Sequence, residues 1–406
     1  MIEIANILWN PILLIILCLV CFLFHVKEKG IVFTTYISSL RYLKDCLRNN
    51  GDYSSKQIIM NSLGAVMGLG NIIGVATAII MGGAGVIFYM FVSGLIVTSL
   101  KYAEIKSSVL YQGGAPKYIR YIFGNSLLSF FYTLLLLLSA MTMGTAIVSK
   151  TTSDLLLVTM NIPIILSSII LFSIVVISIL INYQRVMEYN EVLVPYMIFI
   201  FSLVSLSVCL LNFSSFIQSI KLIIHEAFNM NAFIYGNGYS MIRYGVARGF
   251  FSNEAGFGTS TLLHSHSKMK PHEEAMLGVH EVLIDTNFMC TLVGIILIMS
   301  NVYHENAVVY VLLAFHSLMP IIGIPFIVLM ILFFGVAAML GWYVIGKECI
   351  YYLFDGKIFE YIYLMIFGLS IMCAGICNLE NIFKYSDLCN AILLWINVIV
   401  LFKIYK

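Results

Sequence analysis

Residues 64–88 read GAVMGLGNIIGVATAIIMGGAGVIF, a stretch dense in glycine with Asn71 near its middle. Its surroundings are apolar enough to lie in lipid. Yet glycine weakens a helix by about 1 kcal/mol relative to alanine, and a carboxamide gains nothing from hydrocarbon. Gly68 and Gly70 let the backbone leave the helical region. The N–H and C=O groups so freed persist in a membrane only against a cavity or a bound molecule. Freed N–H groups at the positive end of a half-helix suit a carboxylate. Freed carbonyls suit Na⁺ or an ammonium, and Asn71 offers both a donor and an acceptor. The competing reading is a packing seam, because Gly70, Gly74 and Ala78 recur at spacing four. Gly82, Gly83 and Gly85 read as the turn into the next helix.

Composition supplies the lipid. The 406 residues are 61% hydrophobic and 10% charged, against roughly 25% charged in a soluble domain. This composition predicts an all-α polytopic membrane protein. A net charge of +2 speaks against a nucleic-acid partner, and nothing predicts an obligate protein partner. Nine cysteines show no metal-ligand spacing, and Cys18 and Cys21 read as lipid-facing helix residues. No P-loop, nucleophile elbow or H-E-x-x-H is present, so neither an enzyme nor an ATP-driven pump has support.

About 20 apolar residues cross a bilayer. That rule places eleven spans, at 7–26, 58–82, 83–111, 126–149, 162–182, 190–212, 237–266, 275–300, 320–346, 359–378 and 386–404. The segments 214–230 and 303–318 read as interfacial hairpins. The first run lacks a basic flank and a small-residue cleavage site, so it reads as a retained helix rather than a signal peptide. Cations set the orientation. The 27–57 loop holds Lys27, Lys29, Arg41, Lys44, Arg48 and Lys56, whereas the segments on the other side hold Lys150, Lys221 and Lys384. The N-terminus is therefore expected outside and the C-terminus inside.

Setting the first helix and its basic loop (1–57) aside leaves five spans in 58–212 and five in 213–406. An odd number per half inverts the second half, the pattern of secondary transporters. The first span of each half is interrupted, by GLGN at 68–71 and by FFSNEAGFGTS at 250–260. Paired interruptions of this kind point to a substrate site at the bilayer midplane.

Several ionisable residues lie near these breaks. Glu254 sits at membrane depth, where a carboxylate is costly and usually functional; pairing with Arg248 or capping the following half-helix is the structural alternative. Glu104, with Lys101 three residues before it, reads as a helix-end ion pair. Glu281 and Asp285 fall at i, i+4 beside His280, on one helix face turned to a wet vestibule or sharing a proton. His264, His266 and His272 read as an interfacial loop.

GLGNIIGVATAIIMGGAGVIFYMF followed by KYAE, GFFSNEAGFGTS with IDT at 284–286, and LGWYVIGKECIYYLF together resemble the alanine/glycine:cation symporter family. The resemblance implies a LeuT-type fold of five plus five inverted helices after one extra N-terminal helix. It also implies uptake of alanine or glycine with Na⁺ or H⁺ by alternating access in a bacterial cytoplasmic membrane. Carried over residue by residue, it places substrate at Gly68, Leu69, Gly70 and Asn71, at Asn253, Glu254, Ala255 and Gly256, and near Trp342. It places Na⁺ at the Gly64 and Met67 carbonyls and at Ala337 and Ala338, where the family carries Ser-Thr. The two alanines remove hydroxyl ligands, Leu69 replaces a family hydroxyl, and Glu281 stands where the family is apolar or Gly. These departures set H⁺ beside Na⁺ as coupling ion, with Glu281 and Asp285 as its candidate carriers. No organic cofactor is expected. An uncoupled facilitator, or a sensor that binds an amino acid without moving it, is the alternative on the same fold.

Overall fold

The computed structural model describes residues 9–48, 54–124, 126–181, 183–229 and 237–405, and every regular element among them is helical. The expectations for residues 1–8 and Lys406 lie outside the described residues. In chain order the helices longer than one turn are α1 (Pro11–Lys27), α2 (Tyr36–Arg48), α3 (Ser55–Val66), α4 (Ile73–Gly82), α5 (Val86–Tyr111) and α6 (Gly114–Phe123). After them come α7 (Ser126–Met160), α8 (Ile164–Ile181), α9 (Tyr183–Leu211), α10 (Phe213–Ala227), α11 (Asn237–Asn253) and α12 (Thr259–His264). The rest are α13 (Pro271–Met299), α14 (Ala307–Leu318), α15 (Gly323–Leu353), α16 (Lys357–Ala374) and α17 (Leu379–Ile404).

Eight of these helices are long and apolar enough to cross a membrane, and α3 with the continuation to Gly82 makes a ninth, bent by 54°. Among the described residues, the two segments read as interfacial hairpins, 214–230 and 303–318, each hold one helix, α10 and α14. Asn306 caps α14 by accepting from the Val308 and Val309 amides, so what looked like an interruption is a helix start. The expected end of the fourth span at 149 is also overrun. α7 continues to Met160, with Lys150 and Asp154 paired at i, i+4 (2.8 Å) and Asn161 closing it in the left-handed region (φ 54°).

α5 is the axial element. It packs along α11 and α13, and its segment Leu100–Ile105 is fully buried, Lys101 and Glu104 included. The helix-end ion pair expected there is therefore a core pair. α8 and α16 are peripheral: Ile165, Leu166, Ile169 and Ile177 on one, and Ile358, Met365, Ile366 and Leu369 on the other, are exposed. A soluble chain would have to cover so continuous an apolar surface, whereas lipid covers it here. Cys21, read as lipid-facing, is fully buried; its carbonyl accepts the Ser99 hydroxyl at 2.6 Å.

Candidate substrate and ion site

Both interruptions seen in the sequence are breaks in helices. α3 stops at Val66, the chain passes through Met67 and Gly68, and a 3₁₀ turn spans Leu69–Asn71 before α4 begins. A Cβ on Gly68 would lie 3.2 Å from the Ala338 Cβ, so glycine lets this backbone approach α15 closely. A Cβ on Gly70 would meet nothing within 4 Å. The first break thus borders open space.

Gly70 also lines a small cavity of about 20 Å³. Gly68, Leu69, Gly70, Ala65 and Val66 line it from the first break, Met143, Ile147 and Val148 from α7, Phe251 and Ser252 from α11, and Ala338 and Trp342 from α15. Its size admits about one water, so entry of a larger molecule requires side chains to move. Met143 and Ile147 sit on a π-helical turn, Ala140–Ile147, inside α7. A second π-helical turn, Leu283–Cys290, carries Asp285 within α13. Widened turns of this kind recur at functional sites because they displace side chains from regular register.

A polar layer lies against this cavity. The Asn71 Nδ2 donates to Asp285 Oδ1 at 2.5 Å, and the Thr286 hydroxyl donates to Oδ2 at 2.9 Å. The Ser252 hydroxyl lies 2.6 Å from Asp285 Oδ2, 3.1 Å from Asn71 Oδ1 and 3.1 Å from the Cys290 sulfur. Its single proton serves the carboxylate, the shortest of the three. Ser252 therefore both lines the cavity and ties it to Asn71 and Asp285. Asn71, expected at the site, stands one layer behind the cavity wall.

The second break is built differently. Glu254, Gly256 and Gly258 all take positive φ (52°, 84° and 75°). A Cβ on Gly256 would strike Leu394 and Leu100 at 2.5 and 2.7 Å, and one on Gly258 would strike Tyr132 and Ala115. Glycine is needed here for conformation and for space together. Several of the freed backbone groups already have partners. Glu104 Oε2 accepts the Gly256 and Gly258 amides at 3.0 and 3.3 Å and Asn397 Nδ2 at 3.1 Å. Asn397 Nδ2 also reaches the Gly256 carbonyl at 2.9 Å, and the Tyr132 hydroxyl donates to the Phe257 carbonyl at 2.7 Å.

The sequence-nominated residues therefore divide. Gly68, Leu69, Gly70, Ala338 and Trp342 converge on the cavity. Asn253, Glu254, Ala255 and Gly256 do not line it. Asn253 Nδ2 donates to Thr286 Oγ1 (3.1 Å), its Oδ1 caps the Ala255 amide (3.0 Å), and Glu254 Oε2 accepts from Thr259 (2.7 Å). Arg248 pairs with Asp387 at 3.5 Å rather than with Glu254.

Glu281 and Asp285 are both buried, not set in a wet vestibule, and they serve different neighbours because the π-helical turn shifts the register between them. Glu281 joins three elements. Its Oε2 accepts from Ser62 of α3 at 3.0 Å and faces Lys101 of α5 at 3.5 Å, and its Oε1 meets His264 Nε2 of α12 at 2.8 Å. His264 is buried between Glu281 and Glu274 (2.6 Å to Nδ1), not in a loop. With carboxylate oxygens on both ring nitrogens, either the imidazole is doubly protonated or one carboxyl holds a proton. His280 turns away to Ser39 (2.9 Å). Among the described residues, no group of three or more His, Cys, Asp and Glu is arranged to hold a metal ion.

Ser252, Phe251, Met143, Ile147 and Val148 were not nominated from the sequence. Ser252 and Phe251 directly precede the NEAG motif, so adjacency was a usable signal. The α7 residues lie in an apolar run whose one mark is Gly144, packed on the Trp342 Cβ so closely that its own Cβ would lie at 2.5 Å.

The whole chain, residues 1–406, matches the sodium:alanine symporter family. An uncharacterized transporter of Haemophilus influenzae is 29% identical over 428 aligned positions, covering 100% of this chain and 93% of that protein. The sodium/alanine symporter AgcS of Methanococcus maripaludis is 26% identical, covering 84% of this chain and 80% of that protein. Among solved structures, a mutant of the Eremococcus coleocola manganese transporter superposes with a TM-score of 0.57 at 16% identity, covering 85% of this chain and 76% of that one. That likeness concerns the arrangement of helices alone. The chain belongs to the sodium:alanine symporter family and is a multi-pass membrane transporter, not an enzyme.

Proposed function

We propose that this chain imports small neutral amino acids, alanine or glycine, together with a coupling cation. The observation that carries this reading is the cavity at the first break, lined by Gly68, Leu69, Gly70, Ala338 and Trp342 together. The first N–H groups of the 3₁₀ turn and of α4 have no acceptor within their own helix. They suit the amino-acid carboxylate. Ser252, backed by Asn71 and Asp285, offers the polar contact for the ammonium. Trp342 and Met143 limit the side chain to a small one.

Transport then works by alternating access around α3–α4 and α11–α12, as two inverted five-helix repeats preceded by α1. This reading counts eleven spans by adding α1 and the broken pair α11–α12 to the nine, with the N-terminus outside and the C-terminus inside a bacterial cytoplasmic membrane. Sodium is the cation in the family's name, and H⁺ carried at Glu281 or Asp285 is the other candidate. The test is uptake of labelled alanine and glycine into proteoliposomes under Na⁺ and H⁺ gradients imposed separately. Uptake equal to that of protein-free vesicles under every gradient would sink the reading.

A further inference from the structure

The sodium position expected from the resemblance lies between α3, at Gly64 and Met67, and α15, at Ala337 and Ala338. A third helix, α9, reaches into it. Asn190 is fully buried, and its Nδ2 lies 3.2 Å from the Ala337 carbonyl and 3.2 Å from Asn61 Oδ1. A Cβ on Gly64 would stand 3.0 Å from the same nitrogen. The carboxamide thus sits at the place where α3 and α15 come together.

Its orientation is fixed by its neighbours. The Asn61 Nδ2 faces two carbonyl oxygens, those of Gln57 (2.8 Å) and Met187 (2.9 Å), and so must be the amino group. That turns Asn61 Oδ1 toward Asn190. Asn190 therefore meets two acceptors, Asn61 Oδ1 and the Ala337 carbonyl, and must present its own amino group to both. The cost is visible on the other side, where Asn190 Oδ1 is buried without a hydrogen-bond partner. Turning the amide would set oxygen against oxygen twice.

We infer that the Asn190 carboxamide nitrogen stands where a cation would otherwise bridge α3 and α15, so that this position does not take Na⁺. Three features combine. The Ala337 carbonyl, the α15 oxygen beside that position, is already a hydrogen-bond acceptor. Ala337 and Ala338 bring no hydroxyl oxygens. A polarised N–H₂ group repels a hard cation, which needs oxygen lone pairs. The amide performs the ion's structural task by tying the helix before the first break to α15 with neutral hydrogen bonds. A coupling ion then binds elsewhere in this chain.

The inference bears on the transport reading but is tested without transport, so the two fail separately. The purified full-length chain is unfolded thermally in NaCl and in choline chloride at matched ionic strength, as wild type, Asn190→Ser and Asn190→Asp. Ligands that bind the folded state raise its midpoint. The expected wild-type midpoint is the same in both salts. Asn190→Asp, which replaces the amino group by a carboxylate oxygen, is expected to gain a Na⁺-dependent rise that titrates with Na⁺. A wild-type Na⁺ shift that persists unchanged in Asn190→Ser also supports the inference, because the ion is then bound elsewhere. A wild-type Na⁺ shift abolished in Asn190→Ser overturns it, as does a folded Asn190→Asp protein with no Na⁺ response. Should Asn190→Asp fail to fold, the comparison of wild type with Asn190→Ser decides alone.

Discussion

The first break, through Met67 and Gly68, and the second, from Glu254 to Gly258, interrupt the helices that the proposed repeat sets in corresponding places. Each frees backbone groups in a protein interior without water to satisfy them. The second break meets that demand with the protein's own carboxylate: Glu104 accepts two of its amides, and Asn397 and Tyr132 engage its carbonyls. The first break opens on a cavity instead. Glu104 does at the second break what a substrate carboxylate would do at the first. One break is closed by the fold's own groups; the other, on the proposed reading, is completed by a ligand. On that reading, two motifs of similar appearance serve as a scaffold and as a site.

The largest expected effect follows from removing the internal carboxylate. Glu104→Ala strips the acceptor from Gly256, Gly258 and Asn397 and leaves Lys101, 3.7 Å from Glu104 Oε1, with Glu281 as its remaining carboxylate. Breaking a buried ion pair on one side costs about 3–5 kcal/mol. The thermal midpoint of the purified chain should fall steeply, and added alanine should not restore it. Glu104→Gln keeps one carbonyl oxygen and should fall between the two. A Glu104→Ala protein as stable as wild type would break the contrast between the breaks.

How far the sequence carries this contrast depends on what each break is made of. Glycine spacing marks both breaks, and lipid-level hydropathy marks the helices around them, because these are local properties of the chain. Glu104 is legible as an anomaly but not as a plug. Its partners lie 152 and 293 positions away, at Gly256 and Asn397, and only packing brings them together. His264 follows the same rule. It sits beside polar residues in the chain and reads as a loop, yet the turn at 265–270 folds α13 back so that Glu274 and Glu281 enclose it. The π-helical turns are equally silent, since nothing in LIDTNFMC or AMTMGTAI departs from an ordinary helix pattern.

Alanine substitution of the glycines should sort the breaks in opposite ways. Gly70→Ala places a methyl in the space beside the cavity, with no atom within 4 Å, so the fold should hold. Amino-acid uptake should drop at least about tenfold, a loss of roughly 1.4 kcal/mol of binding. Gly258→Ala, at φ 75° and against Tyr132, should instead lower the midpoint before any question of binding arises. Midpoint and uptake measured on both variants give the crossed pattern. If Gly70→Ala unfolds the chain or Gly258→Ala is harmless, the assignment of site and scaffold is reversed.

Ser252 should give a smaller effect, because it borders the cavity but shares its task. Ser252→Ala leaves Asp285 with Asn71 and Thr286 as donors. A single hydrogen bond is worth about 1 kcal/mol net, so the half-saturating alanine concentration should rise about fivefold while the maximal rate changes little. A fall in maximal rate with unchanged half-saturation would place Ser252 in the moving parts rather than at the substrate.

The smallest effect belongs to the rim of the second half-helix. His266 lies just beyond α12 and meets Glu348 at 3.0 Å. The hydrogen bond to this carboxylate holds the imidazole above its usual range, with burial working against it. A raised folded-state value means the pair contributes fully below the ordinary imidazole range, and the contribution is lost as pH rises through the raised value. Because the histidine is partly exposed, the step should stay under about 1 kcal/mol. His266→Asn should remove it from a series of thermal midpoints taken across that pH range. The size of this step against that of Glu104→Ala is the finer test of the comparison. If the second break is held by its buried carboxylate, Glu104→Ala exceeds the His266 step severalfold, whereas a rim step of equal size would move the anchor of α12 from Glu104 to Glu348.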